Sequence, residues 1–186
     1  HGHNHEPAII GVAKDEPLTD WLDHAVNPFT GFLNEKKEYI KDELGKSGAY
    51  VTFIKAFLDD IHYGITSAMN HQCNFSKYLV EDIVDAALEA KTKLIVAVGS
   101  QDRNYDKRIL DTPEDAVERL KKYNAEFGKH ENIRIIPGPD QVFSNSDTII
   151  KAQKKWAEEN GTLFHMHSSE EPKTTAWFKE QYGCTP

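Results

Sequence analysis

Residues 93–98 read KLIVAV, a short run that is apolar on both faces of a strand and stops at Gly99-Ser100. Strands of this kind are typical of parallel sheets covered by helices, because neither face is left for water. Helical stretches flank the run at residues 76–90 and 112–127. The first has apolar side chains three and four positions apart, and the second opens with a threonine, a proline and two acids. The alternation of strand and helix predicts an α/β fold with a parallel sheet.

The same alternation extends over most of the chain. We expect strands at residues 65–70, 94–99, 133–137 and 162–167. The expected helices lie at residues 17–27 (ended by Pro28), 35–62, 76–90, 112–127, 146–160 and 172–182. Four strand–helix units follow Gly64, and a fifth strand would lead into His1. This count fits either the first five units of an eight-unit (β/α)8 TIM-type barrel or most of an open doubly wound sheet.

The length and the first residue bear on this choice. The chain has 186 residues and begins with histidine rather than methionine, whereas about 250 residues are typical of a whole barrel. We therefore expect residues 1–186 to be the N-terminal portion of a longer barrel domain. The remainder of the barrel or a partner chain would cover the open edge, and a homo-oligomer is one way to do so, since an uncovered strand edge invites aggregation.

Composition excludes several classes of protein. Hydrophobic residues make up 39% of the chain, which is too much for an intrinsically disordered protein. The formal net charge of −8 argues against a nucleic acid or an anionic membrane surface as the main partner. No apolar run approaches the roughly 20 residues that cross a bilayer. Two cysteines far apart in the sequence make no disulfide framework, so we expect a cytoplasmic protein.

Two histidine motifs could carry chemistry. Residues 1–5 read HGHNH, and residues 165–170 read HMHSSE at the C-terminal end of an apolar run. Residues two apart on a strand point to the same side, so each pair can offer two imidazoles to one metal ion. In parallel α/β folds the chemistry takes place at the C-terminal ends of the strands. Glu170, three residues after His167, is placed to act on a water held by that ion.

Structural explanations of the same motifs remain open. Residues 1–5 could be the remnant of an affinity tag or a flexible terminus. His165 and His167 could be buried core histidines held by hydrogen bonds, and Glu170 could belong to an ordinary solvated helix start beside Glu171-Pro172.

Together the motifs resemble the amidohydrolase superfamily, and most closely its branch of cytosine, guanine and methylthioadenosine deaminases and triazine hydrolases. That family has H-x-H at the end of the first barrel strand and H-x-H-x-x-E at the end of the fifth. The first motif is followed here by the same landmarks in the same order: Gly11, Asp15-Glu16-Pro17-Leu18 and Trp21-Leu22. The resemblance covers nearly all 186 residues and implies the barrel rather than the doubly wound sheet.

The resemblance also implies a site and a reaction. His1, His3 and His167 would bind one divalent ion, Zn²⁺ or alternatively Fe²⁺ or Mn²⁺, and Glu170 would be the catalytic proton shuttle. A bound dication lowers the pKa of water to around 7. The expected activity is hydrolytic deamination of a small aminated N-heterocycle: a purine, pyrimidine, pterin or triazine. The alternatives are cleavage of another C–N or C–Cl bond on a similar ring, or a metal-binding barrel fragment that is catalytically incomplete.

Two departures from the family limit what can be carried over. Many of its deaminases have Pro-His-Ala-Pro at the end of the fourth strand, where residues 137–141 read PGPDQ here. Asp140 or Gln141 would take the place of that histidine. The family's remaining ligands, a histidine and an aspartate, would lie beyond Pro186. The candidate substrate contacts are His5, His71, Gln141 and His165. The loop at residues 101–111 is long enough for a lid.

Overall fold

Three parallel strands form the sheet of this computed structural model, which describes residues 1–186 apart from the side chains of residues 42–44. Strand β1 spans Ser67–Gln72, β2 spans Lys93–Ser100 and β3 spans Ile133–Pro139. Their order in the sheet is β1-β2-β3, and both pairs are parallel. The predicted strands at 94–99 and 133–137 are therefore confirmed within two residues, and the strand predicted at 65–70 begins two residues later.

Single bridges extend the sheet by one position on each side. Gly2 forms a parallel bridge with Asn70 of β1, and His167 forms one with Gln141, just after β3. The five positions thus follow one another in chain order. Sequential order is expected of a barrel, whereas a doubly wound sheet places neighbours out of sequence.

The strand predicted at residues 162–167 is wrong, since only the bridge at His167 forms there. The N–H of His165 donates to the carbonyl of Pro137 at 3.1 Å, and that of His167 donates to the carbonyl of Asp140 at 2.9 Å. Pro137 and Pro139 have no N–H to donate in return. The end of β3 can therefore accept hydrogen bonds from this segment but cannot complete a ladder with it.

Eight α-helices connect and cover these positions in the described chain. They are α1 (Leu18–Trp21), α2 (Asn27–Glu35), α3 (Lys37–Leu44), α4 (Gly48–His62), α5 (Val80–Ala90), α6 (Pro113–Phe127), α7 (Asp147–Glu159) and α8 (Pro172–Tyr182). Short 3-10 turns at Glu6–Ile9, Asn74–Tyr78 and Lys107–Ile109 and a π-helical turn at Leu22–Val26 complete the secondary structure. Helix α6 begins with the predicted cap, because the Thr112 hydroxyl accepts from the Asp115 N–H and Asp115 accepts from Thr112 in return.

The sequence predicts that Pro28 ends the first helix, and the structure shows that it does not. It lies in the first turn of α2, and the π-helical turn joins α1 directly to α2. A proline is tolerated there because the N–H groups of a helix's first turn have no partner within the helix.

The single helix predicted at residues 35–62 is also wrong, because two helices, α3 and α4, occupy the region. Gly45 ends α3 in the left-handed conformation, at φ 69°, and the Ser47 hydroxyl caps α4 by accepting from the Tyr50 N–H. The apolar face of α4 is buried only in part. Phe53 and Phe57 are buried, whereas Leu58 is 56% exposed.

The helices pack against one face of the sheet. Leu94, Val96 and Val98 are alternate residues of β2 and belong to one core with side chains of α4, α5, α6 and α7. The intervening residues, such as Ile95, point to the other face. Helices on a single face are what a barrel requires, since its inner face is filled by strand side chains.

A buried lysine fixes the loop that follows β2. The amine of Lys77 is fully buried and donates to Gln101 at 3.2 Å, to Asp111 at 2.6 Å and to the carbonyl of Ile109. Burial lowers the pKa of Lys77 to about 8, although Asp111 opposes that shift. Arg119 of α6 donates to the same carboxylate. Both ends of the 101–111 loop are therefore held by one ionic network.

Across the described chain, helices of the length and hydropathy that a membrane span requires are absent.

We expect opposite effects on stability from alanine at two glycines. A Cβ at Gly99 would overlap the carbonyl oxygen of Gln72 and lie 2.8 Å from the Cα of Cys73. Gly99→Ala should therefore lower the free energy of unfolding by about 1–3 kcal/mol, the usual effect of overpacking. In α2, a Cβ at Gly31 would lie at an ordinary contact distance of 3.7 Å from the Phe75 ring. Gly31→Ala should therefore raise the free energy of unfolding by about 0.5–1 kcal/mol.

Urea unfolding followed by circular dichroism measures both changes. Equal midpoints for Gly99→Ala and the parent would show that β1 and β2 do not approach as described.

Candidate active site

The site lies where the parallel strands end. His71 is the penultimate residue of β1, Asp140 follows β3 directly, and His167 forms the bridge to Gln141. His1 and His3 flank the bridge at Gly2, so their side chains point the same way. The parallel register thus brings residues that are far apart in sequence to one edge of the sheet.

Three of the predicted residues converge on one point. One ligand nitrogen each of His1, His3 and His167 lies within 4.8 Å of the other two. The ring centroids of His1 and His3 are 5.1 Å apart, those of His1 and His167 are 5.1 Å apart, and those of His3 and His167 are 5.3 Å apart.

Backbone carbonyls hold two of these rings. Nδ1 of His3 donates to the carbonyl of His71 at 3.0 Å, and Nδ1 of His167 donates to the carbonyl of Asp140 at 2.8 Å. Nε2 is then the free nitrogen of each ring, and that of His167 is buried without a hydrogen-bond partner. A histidine that donates from one nitrogen to a carbonyl and leaves the other bare is the usual arrangement of a metal ligand. The donor set therefore fits a divalent ion such as zinc.

The protonation of the cluster is uneven. Burial and the neighbouring charge of His167 lower the pKa of His3 to about 4. Burial also disfavours the charged form of His167, but the hydrogen bond to Asp140 and its negative charge outweigh this and raise the pKa of His167 to about 9. Only neutral imidazole binds a metal, so binding must release the His167 proton.

Two glutamates line the same cavity of about 290 Å³ as the three imidazoles. Glu170, the expected proton shuttle, is one, and burial raises its pKa. Glu6 is the other, and burial together with the charge of Glu170 raises its pKa to about 7. The sequence analysis missed Glu6, although its place directly after the first motif was the available signal.

Three further histidines, His5, His71 and His165, lie beside the converging imidazoles but do not line this cavity. His71 is fully buried, and its Nδ1 is 3.0 Å from Nδ1 of His165. Nε2 of His71 and both ring nitrogens of the buried His5 have no hydrogen-bond partner. These three residues are absent from the lining of the cavity, so the structure does not bring them to it.

Gln141 does reach the cavity, and a second cavity of about 360 Å³ adjoins it. The two share Leu22, Tyr105 and Gln141. Phe143 and Trp177 line the second cavity in an edge-to-face pair with centroids 5.1 Å apart. The neighbouring Asp140 lines the first cavity, and its Oδ1 lies 3.3 Å from Nδ1 of His167.

Comparison with known proteins settles the family. A sequence model described as the amidohydrolase family matches residues 2–186. The chain belongs to this family.

Curated relatives of this amidohydrolase chain are deaminases. It is 27% identical to a 5-methylthioadenosine/S-adenosylhomocysteine deaminase of Aquifex aeolicus, covering 100% of the chain and 39% of that protein. It is 26% identical to a 5'-deoxyadenosine deaminase of Methanocaldococcus jannaschii, covering 99% of the chain and 40% of that protein. The chain thus spans about two fifths of the length of these relatives.

Solved structures of the family share the fold. Atrazine chlorohydrolase from Arthrobacter aurescens, complexed with zinc, superposes with a TM-score of 0.81 at 17% identity, covering 100% of this chain and 43% of that one. Guanine deaminase from Bradyrhizobium japonicum gives 0.80 at 21% identity, covering 98% and 37%. The predicted partial (β/α) barrel is confirmed, and the doubly wound alternative is excluded.

We expect the two cysteines to differ sharply in reactivity. Cys73 is 5% exposed, and burial raises the pKa of its thiol well above the usual range, whereas Cys184 is exposed. Because the thiolate is the reactive form, a disulfide reagent at pH 8 should modify one thiol of residues 1–186 in the native state and two in urea. Cys184→Ser should abolish the native reaction. Rapid native labelling of that variant would contradict the burial of Cys73.

Proposed function

We propose that this chain provides the metal-binding half of the active site of a hydrolase that deaminates a small aminated N-heterocycle. One observation carries the proposal: His1, His3 and His167 converge with nitrogens free for a metal, in a cavity that Glu170 also lines. The deaminase names of the curated relatives support it. The free state of both cysteines is consistent with the reducing cytoplasm that we propose as its location.

In this proposal His1, His3 and His167 hold one divalent ion. Zinc is our first choice, as three imidazoles suit it, with iron or manganese as alternatives. When bound, such an ion lowers the pKa of water to around 7 and polarises the substrate. The carbonyls of His71 and Asp140 fix the rings of His3 and His167, so these two ligands need little reorganisation on binding.

Glu170 would move the protons. Its carboxylate lines the cavity beside the three imidazoles and belongs to none of the groups of ligand atoms that could hold a metal. Its raised pKa brings it closer to neutrality, where a carboxyl group can both accept and return a proton. We propose that it takes one proton from the attacking water and delivers it to a ring nitrogen. It then takes the second proton, from the new hydroxyl group on the attacked carbon, and delivers it to the amine, which leaves as ammonia while the C=O bond forms.

Neighbouring side chains would orient the ring. Gln141 can donate and accept hydrogen bonds at the junction of the two cavities, so it is our candidate for substrate contact. The rings of His5, His71 and His165 lie beside the imidazoles that would hold the metal, and we propose that they support the site from there. Glu6 adds a further carboxyl group beside Glu170, which favours a substrate rich in N–H donors.

A second reaction on a similar ring is a weaker candidate. The end of β3 carries Asp140 and Gln141 in place of a histidine, so displacement of chloride or an alkylamine would leave the same metal ligands and proton shuttle in use. Measuring which group is released (ammonia, chloride or an alkylamine) distinguishes these reactions.

Metal content tests the ligand assignment. We expect about one zinc per chain in the untagged full-length protein, and His167→Ala should lose it because a buried ligand is removed. His24 is a matched control, because it is an exposed histidine that pairs with Glu16 outside the cavity. His24→Ala should keep its metal after dialysis, as measured by elemental analysis. Stoichiometric zinc in His167→Ala would refute the assignment.

Ammonia release from a panel of aminated purines, pyrimidines, pterins and triazines tests Glu170. In the full-length protein, Glu170→Gln should retain metal and lose roughly 10²–10⁴-fold in turnover, the usual contribution of general acid–base catalysis. Glu171→Gln is the control, since Glu171 caps α8 by accepting from the N–H groups of Lys173 and Thr174. Full turnover in Glu170→Gln would overturn the mechanism. Metal without turnover of any ring would indicate a catalytically incomplete metal-binding protein.

A further inference from the structure

We propose that Asp140 is a positioning residue that fixes the ring of His167 so that its Nε2 faces the metal. The inference rests on the proposed metal centre. It gives the residue at the end of β3 a role other than substrate contact, which was the role expected from the sequence.

Asp140 holds His167 through three contacts. Its backbone carbonyl accepts from the backbone N–H of His167 at 2.9 Å and from Nδ1 of the ring at 2.8 Å. Its carboxylate Oδ1 lies 3.3 Å from the same Nδ1. One residue therefore fixes both the main chain and the side chain of the ligand, and it commits Nδ1 as the donor.

The carboxylate of Asp140 is itself held in place. It is 4% exposed, and its Oδ2 accepts from the hydroxyl of Ser144 at 3.2 Å. Burying a carboxylate is costly unless it is paired and hydrogen-bonded. His167 supplies the pairing, and the hydrogen bond from Ser144 restricts rotation of the carboxylate towards a substrate.

His3 provides a comparison within the same site. Its Nδ1 donates to a backbone carbonyl alone, that of His71. Among the two ligands held by carbonyls, His167 is therefore the one that also faces a carboxylate. A carboxylate behind a ligating histidine fixes its tautomer and raises its basicity as a ligand.

A second metal ion is the competing explanation, because ligand atoms of His71, Asp140 and His167 also lie within 4.8 Å of one another. The contacts favour positioning. Nδ1 of His167 is already committed to the carbonyl, and Nδ1 of His71 is in contact with His165.

Metal affinity tests the inference directly. We would measure the dissociation constants of Zn²⁺ and Co²⁺ by chelator competition for the full-length parent, Asp140→Ala and Asp140→Asn. Asp140→Ala should bind 10–100-fold more weakly, the usual cost of losing such a partner, and its Co²⁺ absorption bands should shift. Asp140→Asn keeps an acceptor of the same shape and should lose less. Asp102→Asn is the control, since Asp102 accepts from the N–H of Ser146 at the end of β2 and should leave affinity unchanged.

Crystal structures of the metal-free parent and Asp140→Ala provide a readout that needs no metal. The ring of His167 should keep its place in the parent and turn or become disordered in the variant. An unmoved ring, or affinities of both Asp140 variants within twofold of the parent, would overturn the inference. Two metal ions per chain with Asp140 as a direct ligand would overturn it as well. A parent that binds no metal would refute the proposed metal centre, and the crystal structures would then decide the role of Asp140 alone.

Discussion

The site depends on hydrogen bonds from imidazole Nδ1 atoms to backbone carbonyls at the ends of two strands. The carbonyl of His71 belongs to β1, and that of Asp140 follows β3, with β2 between them. The distance between His3 and His167 is therefore set by the register of the whole sheet. Any shift of one strand would move a ring away from its partner, so the core that fixes the sheet also fixes the site.

The sequence predicts much of this arrangement, and each of its wrong predictions has a specific physical cause. The run at 93–98 was recognised because it is apolar on both faces, and the cap at Thr112 because each of its groups is local. Pro28 misled because a proline stops one helix and starts another with the same geometry. Residues 162–167 have the composition of a strand, but whether they pair depends on Pro137 and Pro139, which lie far away in the chain.

The histidine-rich motifs could be found from their spacing, but their surroundings could not. His1, His3 and His167 were named from the pattern, and the structure brings them together. His5 belongs to the same motif but is fully buried. The chain turns into a 3-10 helix at Glu6, so the alternation of side chains between the two faces of a strand ends there. Glu6 and Asp140 gain their importance from neighbours more than 25 residues away, and no local pattern reports such contacts.

The anchored loop after β2 has a consequence for recognition. The N–H of Asp111 donates to the carbonyl of Gln101 at 2.7 Å. The buried amine of Lys77 donates to the side chains of these same two residues, one at each end of the loop. The loop's Asn104 and Tyr105 form part of the wall of the larger cavity. Because the conformational entropy of this wall is lost during folding, a ligand that enters the cavity meets a preorganised surface and need not order the loop itself. Discrimination between ligands at this wall then arises from rigid shape rather than from closure of a flap.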